Sequence, residues 1–208
     1  MTWLRRAAAR FAPAGLVALV AAATPAAASD AAVAAALMQP GPLPDIVEGA
    51  AGAAATIVEY ASMTCSHCAA FHKQVWPALK AKYVDTGKVK FILREFPLDP
   101  LATAAFMAAR CAGPDKRDAL IDRLFASQEE WAFRDAPLER LRRATGLSPA
   151  DFLACVKDKT LFDGVNDTRD AAERFGVDST PTFFVNGRKL DGEAALPAFD
   201  AALAAPPK

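Results

Sequence analysis

Cys65-Ser66-His67-Cys68 sets two thiols one helical turn apart. That spacing suits two sulfurs that close a small disulfide ring and reopen it, trading electrons with the cysteines of another protein. The pair follows Thr56-Ile57-Val58-Glu59-Tyr60, a β-branched and aromatic run that predicts a buried strand. Beyond it, Phe71, Val75 and Leu79 recur near the helical period, with Pro77 expected to kink the helix. Cys65 therefore falls where a strand gives way to a helix. A helix N-terminus carries roughly half a positive charge and several unpaired backbone N–H groups. A thiolate there is stabilised, so its pKa drops below the free value of about 8.5. Cys65 is expected to be the exposed nucleophile and Cys68 the more buried resolving thiol. His67, between them, can donate a hydrogen bond to the thiolate or bring it a positive charge.

Other uses of such a pair fit less well. Zinc normally takes four ligands, and no second close Cys/His pair accompanies this one. Cys65, Cys68 and His72 would make a three-ligand set, so a copper or zinc carrier is the rival reading from another class. A purely structural disulfide across four residues would be a poor staple, because cross-link stabilisation grows with loop length. Haem attachment would need His where Ala69 stands.

The elements around the pair alternate in a recognisable order. Val89–Phe96 reads as a second apolar strand, joined to the first by one helix. A single crossover helix implies parallel strands. Helical signals then fill the middle: Leu101–Cys111, the stripe Leu120, Ile121, Leu124 and Phe125, and Leu161–Phe175. Ser148-Pro149-Ala150-Asp151 starts another helix, and Gly176 suits a left-handed helix end. Strand period returns at Thr182–Val185, and Asn186-Gly187 predicts a hairpin into Arg188–Asp191. A last helix is expected over about Glu193–Leu203. The order is βαβ, several helices, then ββα. Thr180-Pro181 heads the third strand, where a proline cannot join the ladder. A cis bond there would bring Thr180 backbone groups beside the dithiol; a trans proline at a strand start is the plain alternative.

The 208 residues are 53% hydrophobic, enough for one well-filled domain. Arg5, Arg6 and Arg10 without an acid, then the apolar Phe11–Ala23, then Ala26-Ala27-Ala28-Ser29, form the pattern of an export signal. A signal peptide over 1–28 is expected, with an uncleaved membrane anchor as the alternative. Arg5-Arg6 alone does not establish twin-arginine export. The periplasm is the expected location. The whole chain has 24 basic and 24 acidic residues; removing three Arg with the signal leaves 21 against 24, a net −3. With no basic run, nothing points to nucleic acid. Residues 29–52, rich in Ala, Gly and Pro, read as a leader arm with little core, leaving room for a short edge strand at Asp45–Val47.

Three stretches then carry a resemblance. Thr56–Cys68 (TIVEYASMTCSHC), Phe91–Asp99 (FILREFPLD) and Val177–Gly187 (VDSTPTFFVNG) resemble the DsbA-like thiol:disulfide oxidoreductases of bacterial periplasms. The likeness runs from about Leu43 to Leu203. It implies an α/β, thioredoxin-like domain over 53–205 with a helical insertion at about 101–176. It matches Cys65 to the nucleophile, Cys68 to the resolving cysteine, Ser66 and His67 to the tuning dipeptide, and Thr180 and Pro181 to the substrate-binding cis-Pro loop. Glu59 matches a buried acid beneath the active site. In an apolar strand it must find a partner or give up its charge, and it could relay a proton to Cys68. An ion pair with Arg94 on the next strand is the alternative. The best-known oxidases carry Pro-His between the cysteines and Val before the cis-Pro; this chain has Ser-His and Thr, and Thr occurs in isomerase-type relatives.

The resemblance further implies substrates among folding exported proteins with cysteines, a membrane partner linked to quinones that reoxidises the pair, and no cofactor besides the redox-active disulfide. A monomer is expected, since the leader is too short for a dimerisation domain. Cys111 and Cys155 lie in apolar company on two predicted helices, and a disulfide between them is expected to pin the insertion. Two separate buried thiols are the alternative.

Overall fold

A computed structural model describes residues 32–192 and 194–205. The expected signal peptide lies outside the described residues. At the centre is a five-stranded sheet: β1 (Ile46–Glu48), β2 (Ala55–Ala61), β3 (Val89–Glu95), β4 (Thr182–Val185) and β5 (Arg188–Lys189), in the order β1-β3-β2-β4-β5. β2 and β3 are parallel, joined by α1 (Ser66–Gln74), α2 (Trp76–Leu79) and a π-helical turn (Lys80–Val84); the other neighbours are antiparallel. Pro77 opens α2 just after a break at Val75, so the kink expected there is a change of helix.

Six helices fill the stretch between β3 and β4: α3 (Pro100–Cys111), α4 (Pro114–Ala126), α5 (Gln128–Trp131), α6 (Pro137–Thr145), α7 (Pro149–Val156) and α8 (Lys159–Glu173). Side-chain caps explain several starts. Asp99, Ser148 and Asp158 accept backbone N–H groups at the heads of α3, α7 and α8. Asn186 and Gly187 both take positive φ (50° and 78°), which gives β4 and β5 their tight turn. β5 is shorter than the run to Asp191. α9 (Leu196–Ala204) begins later than expected, with Pro197 in its first turn; Glu193 lies outside the described residues.

The sheet is covered on both faces. Ile57, Phe91, Leu93, Phe183 and Val185 belong to one core with α1 and the insertion; Val58, Tyr60, Ile92 and Phe184 belong to a second core. The leader contributes more than its composition promised. Residues 32–37 are helical, and Leu37 is wholly buried in the second core. Ala34 packs so close to Gly187 that a Cβ there would sit 2.5 Å from Ala34 Cβ. Leu43 likewise fills the space over Gly164. Small residues make a poor core by themselves, but here they fit where larger ones would collide.

Candidate active site

Cys65 caps the N-terminus of α1. Its Sγ accepts the Cys68 backbone N–H at 3.3 Å and lies 3.2 Å from the Thr180 carbonyl oxygen, to which the thiol donates. The Thr180-Pro181 bond is cis. The cis-Pro loop thus meets the head of the helix across a residue separation of 115. Cys65 is only 8% exposed, against the expectation of an exposed nucleophile, because this loop lies against its sulfur. Cys68 is at 0%. Both are free thiols.

The two sulfurs titrate in opposite directions. A hydrogen bond from the Cys68 thiol holds Cys65 down at about 5; burial opposes this, and the Thr180 side chain and the Cys68 and His67 backbone N–H groups assist. The Thr180 hydroxyl is buried and makes no well-formed hydrogen bond. Burial pushes Cys68 well above the ordinary thiol value, and the hydrogen bond to Cys65 and the charge of Glu59 push it further. At neutral pH, Cys65 is a thiolate and Cys68 a thiol. Ser66 and His67 are exposed at the rim. His67 acts on Cys65 through its backbone N–H.

Beneath the pair lies a buried ionic contact. Glu59 is at 0% exposure, and its Oε2 sits 3.0 Å from His72 Nε2 on α1. The alternative pairing with Arg94 is wrong for a reason of register. In the parallel ladder Glu59 faces Leu93 while Arg94 aligns with Tyr60, on the opposite side of the sheet. Arg94 instead binds Asp45 at 2.7 Å, the Tyr60 hydroxyl, and the carbonyls of Leu37 and Gln39, tying down the leader. In sequence, His72 stands out only as a third candidate metal ligand beside Cys65 and Cys68. Its spacing of four from Cys68 was the signal that both share one buried helix face. Among the described residues no group of three Cys, His, Asp or Glu side chains is arranged to hold a metal ion.

Two more residues have no sequence signal. Gln128, buried on α5, donates to the carbonyls of Met63 and Cys65, both at 2.9 Å. Thr64 donates to Asp99 at 2.6 Å, and Asp99 also caps α3. Both contacts tie the dithiol loop to the insertion. Cys111 and Cys155 form a disulfide between α3 and α7, with S–S 2.03 Å and Cα–Cα 6.1 Å.

Sheet, crossover helix, capping cysteine and cis-Pro loop together define a dithiol protein of the thioredoxin fold. A thioredoxin family model matches residues 43–205. A Rickettsia typhi protein named "Putative protein-disulfide oxidoreductase" is 34% identical over 151 residues, covering 69% of this chain and 55% of that one. The chain spans about half the length of the curated relatives it matches. The crystal structure of Wolbachia pipientis alpha-DsbA1 is similar at TM-score 0.72 and 30% identity, covering 81% of this chain and 92% of that one. Chlamydia trachomatis DsbA, at 17% identity and TM-score 0.67, shares the fold. The chain belongs to the DsbA-like family of thioredoxin-fold proteins.

Proposed function

We propose that this protein is a periplasmic thiol:disulfide oxidoreductase working as a dithiol oxidase on exported proteins. The observation that carries the reading is the split between the two sulfurs. A thiolate at Cys65 held near 5 stabilises the reduced form, so the disulfide form is a strong oxidant. A substrate thiolate attacks Cys65 Sγ, the Cys65–Cys68 bond breaks, and the electron pair leaves on Cys68, which takes a proton. A second substrate thiolate then attacks the substrate sulfur of the mixed disulfide. Cys65 departs as a thiolate, the substrate gains its disulfide, and this protein is left reduced. The Thr180 backbone beside Cys65 suits an extended substrate strand. The protein acts as a monomer, and a quinone-linked membrane partner restores the disulfide. The export pattern over 1–28 supports the location.

A second reading is favoured by Thr180, the residue type found in isomerase-type relatives. The same dithiol would then reshuffle or reduce disulfides. Oxidised protein added to reduced, denatured ribonuclease decides. Gain of disulfides and ribonuclease activity is expected; no gain, with scrambled ribonuclease repaired instead by the reduced protein, supports the second reading.

A further inference from the structure

Each opening of the Cys65–Cys68 disulfide leaves an electron pair on Cys68, and each closing must strip a proton from it. Cys68 is at 0% exposure, and so is Glu59, the acid whose charge it feels. Glu59 can hold such a proton but cannot pass it directly to water. We infer that His72 and Asp122 complete the route, carrying the proton of Cys68 from Glu59 to solvent. The inference rests on the dithiol exchange proposed above.

The geometry is that of an imidazole set between two carboxylates. His72 Nε2 is hydrogen-bonded to Glu59 Oε2 at 3.0 Å; Nδ1 is buried and makes no hydrogen bond, with Asp122 Oδ1 on α4 facing it at 3.7 Å. The His72 side chain is 4% exposed, while that of Asp122 is 47% exposed. The other Glu59 oxygen, Oε1, is buried without a partner and free to take a proton. Phe125 stacks on the ring at 4.2 Å and 17°, which fixes the directions of both nitrogens. His72 and Asp122 border a surface hollow with Trp76, Pro77 and Lys80, so water reaches the outer end. Imidazole accepts at one nitrogen and releases at the other, which no other side chain does as readily near neutral pH.

The charged groups facing His72 are Glu59 from β2 and Asp122 from α4, with Lys73 and Lys80 around the hollow. Burial opposes a charge on His72, but the two carboxylates outweigh it and hold the pKa at about 9. Below that pH the imidazolium is loaded. When Cys68 leaves as a thiolate, the ring, having released its Nδ1 proton towards Asp122, takes a proton back at Nδ1 from the Asp122 side as its Nε2 proton passes to Glu59 and a proton passes from Glu59 to Cys68. Reoxidation runs the same transfers backwards. One proton enters or leaves per disulfide opened or closed, and no other reactant is needed.

The test mixes reduced protein with dithiobis(nitrobenzoate). Cys65 attacks first and releases one coloured thiol; Cys68 then attacks the mixed disulfide and releases the second. In His72→Ala, the first phase should be unchanged and the second slowed on the order of tenfold at neutral pH. Imidazole added to the buffer should restore it, a response that a merely structural role does not give. Asp122→Asn, at a half-exposed site, should slow the second phase about threefold. If His72→Ala does not fold, Asp122→Asn decides alone. An unchanged second phase across the pH range overturns the route, and so does slowing that imidazole cannot rescue. A wild-type protein with no second phase instead overturns the dithiol exchange itself.

Discussion

The two cysteine pairs of this molecule share an element and little else. Cys65 and Cys68 lie three apart in sequence, at the head of one helix, with donors aimed at one sulfur and burial acting on the other. Cys111 and Cys155 are 44 residues apart and join two helices of the insertion. A bond closing a ring of four residues constrains the unfolded chain little, so its formation is governed by thiol chemistry. A bond closing a loop of 44 residues removes much unfolded-state entropy and is worth about 4 kcal/mol. The same S–S bond is thus a reagent in one place and a staple in the other, and what decides is loop length and local electrostatics.

The sharpest way to break this contrast is to remove one sulfur from each pair. Cys65→Ser should lower thiol–disulfide exchange by at least about a thousandfold, since serine cannot form the mixed disulfide, while the melting temperature of the reduced protein, measured at about pH 4 where the Cys65 thiolate no longer adds stability, barely moves. The double variant Cys111→Ser with Cys155→Ser should do the reverse. Exchange at 25 °C, measured with a small thiol substrate, should stay within about twofold, while thermal unfolding falls by roughly 10 °C. Loss of exchange in the double variant would show that the insertion's disulfide also sets the dithiol. The routes for such coupling are visible: Gln128 and Asp99 both bind the dithiol loop.

The contrast also separates what sequence could reveal from what it could not. Cys65, Cys68 and the strand-to-helix junction were legible because local spacing and period carry them. Gln128 was not, because its role depends on where α5 ends up 63 residues away from Cys65. The Glu59 partner stays open in the sequence, since period-two alternation gives each strand's faces but not the register between strands. A parallel register pairing Glu59 with Leu93 sends Arg94 to the other face. The leader failed for a related reason. Its composition is poor in core residues, but the value of Ala34 and Leu43 lies in the glycines opposite them, and no local signal shows which residues will be opposite.

A smaller effect should come from Thr180→Val, which tests how finely the cis-Pro loop tunes the first sulfur alone. The Thr180 side chain helps lower the Cys65 pKa, behind the Cys68 thiol. Valine keeps the shape and the backbone carbonyl but removes the hydroxyl. The Cys65 thiolate, followed by its ultraviolet absorbance, should titrate with a midpoint near 5 in the wild type. In the variant the midpoint should rise by less than about one pH unit. The sign carries through to stability. A depressed folded pKa makes the reduced protein gain stability over its unfolded chain as pH rises from about 5 towards the ordinary thiol value, and lose it as pH falls through 5. In Thr180→Val that loss should be complete at slightly higher pH, and the disulfide should become a slightly weaker oxidant. Cys111–Cys155 should be indifferent to the change. An unmoved midpoint would leave the N–H groups and the Cys68 thiol to hold the Cys65 charge without the hydroxyl.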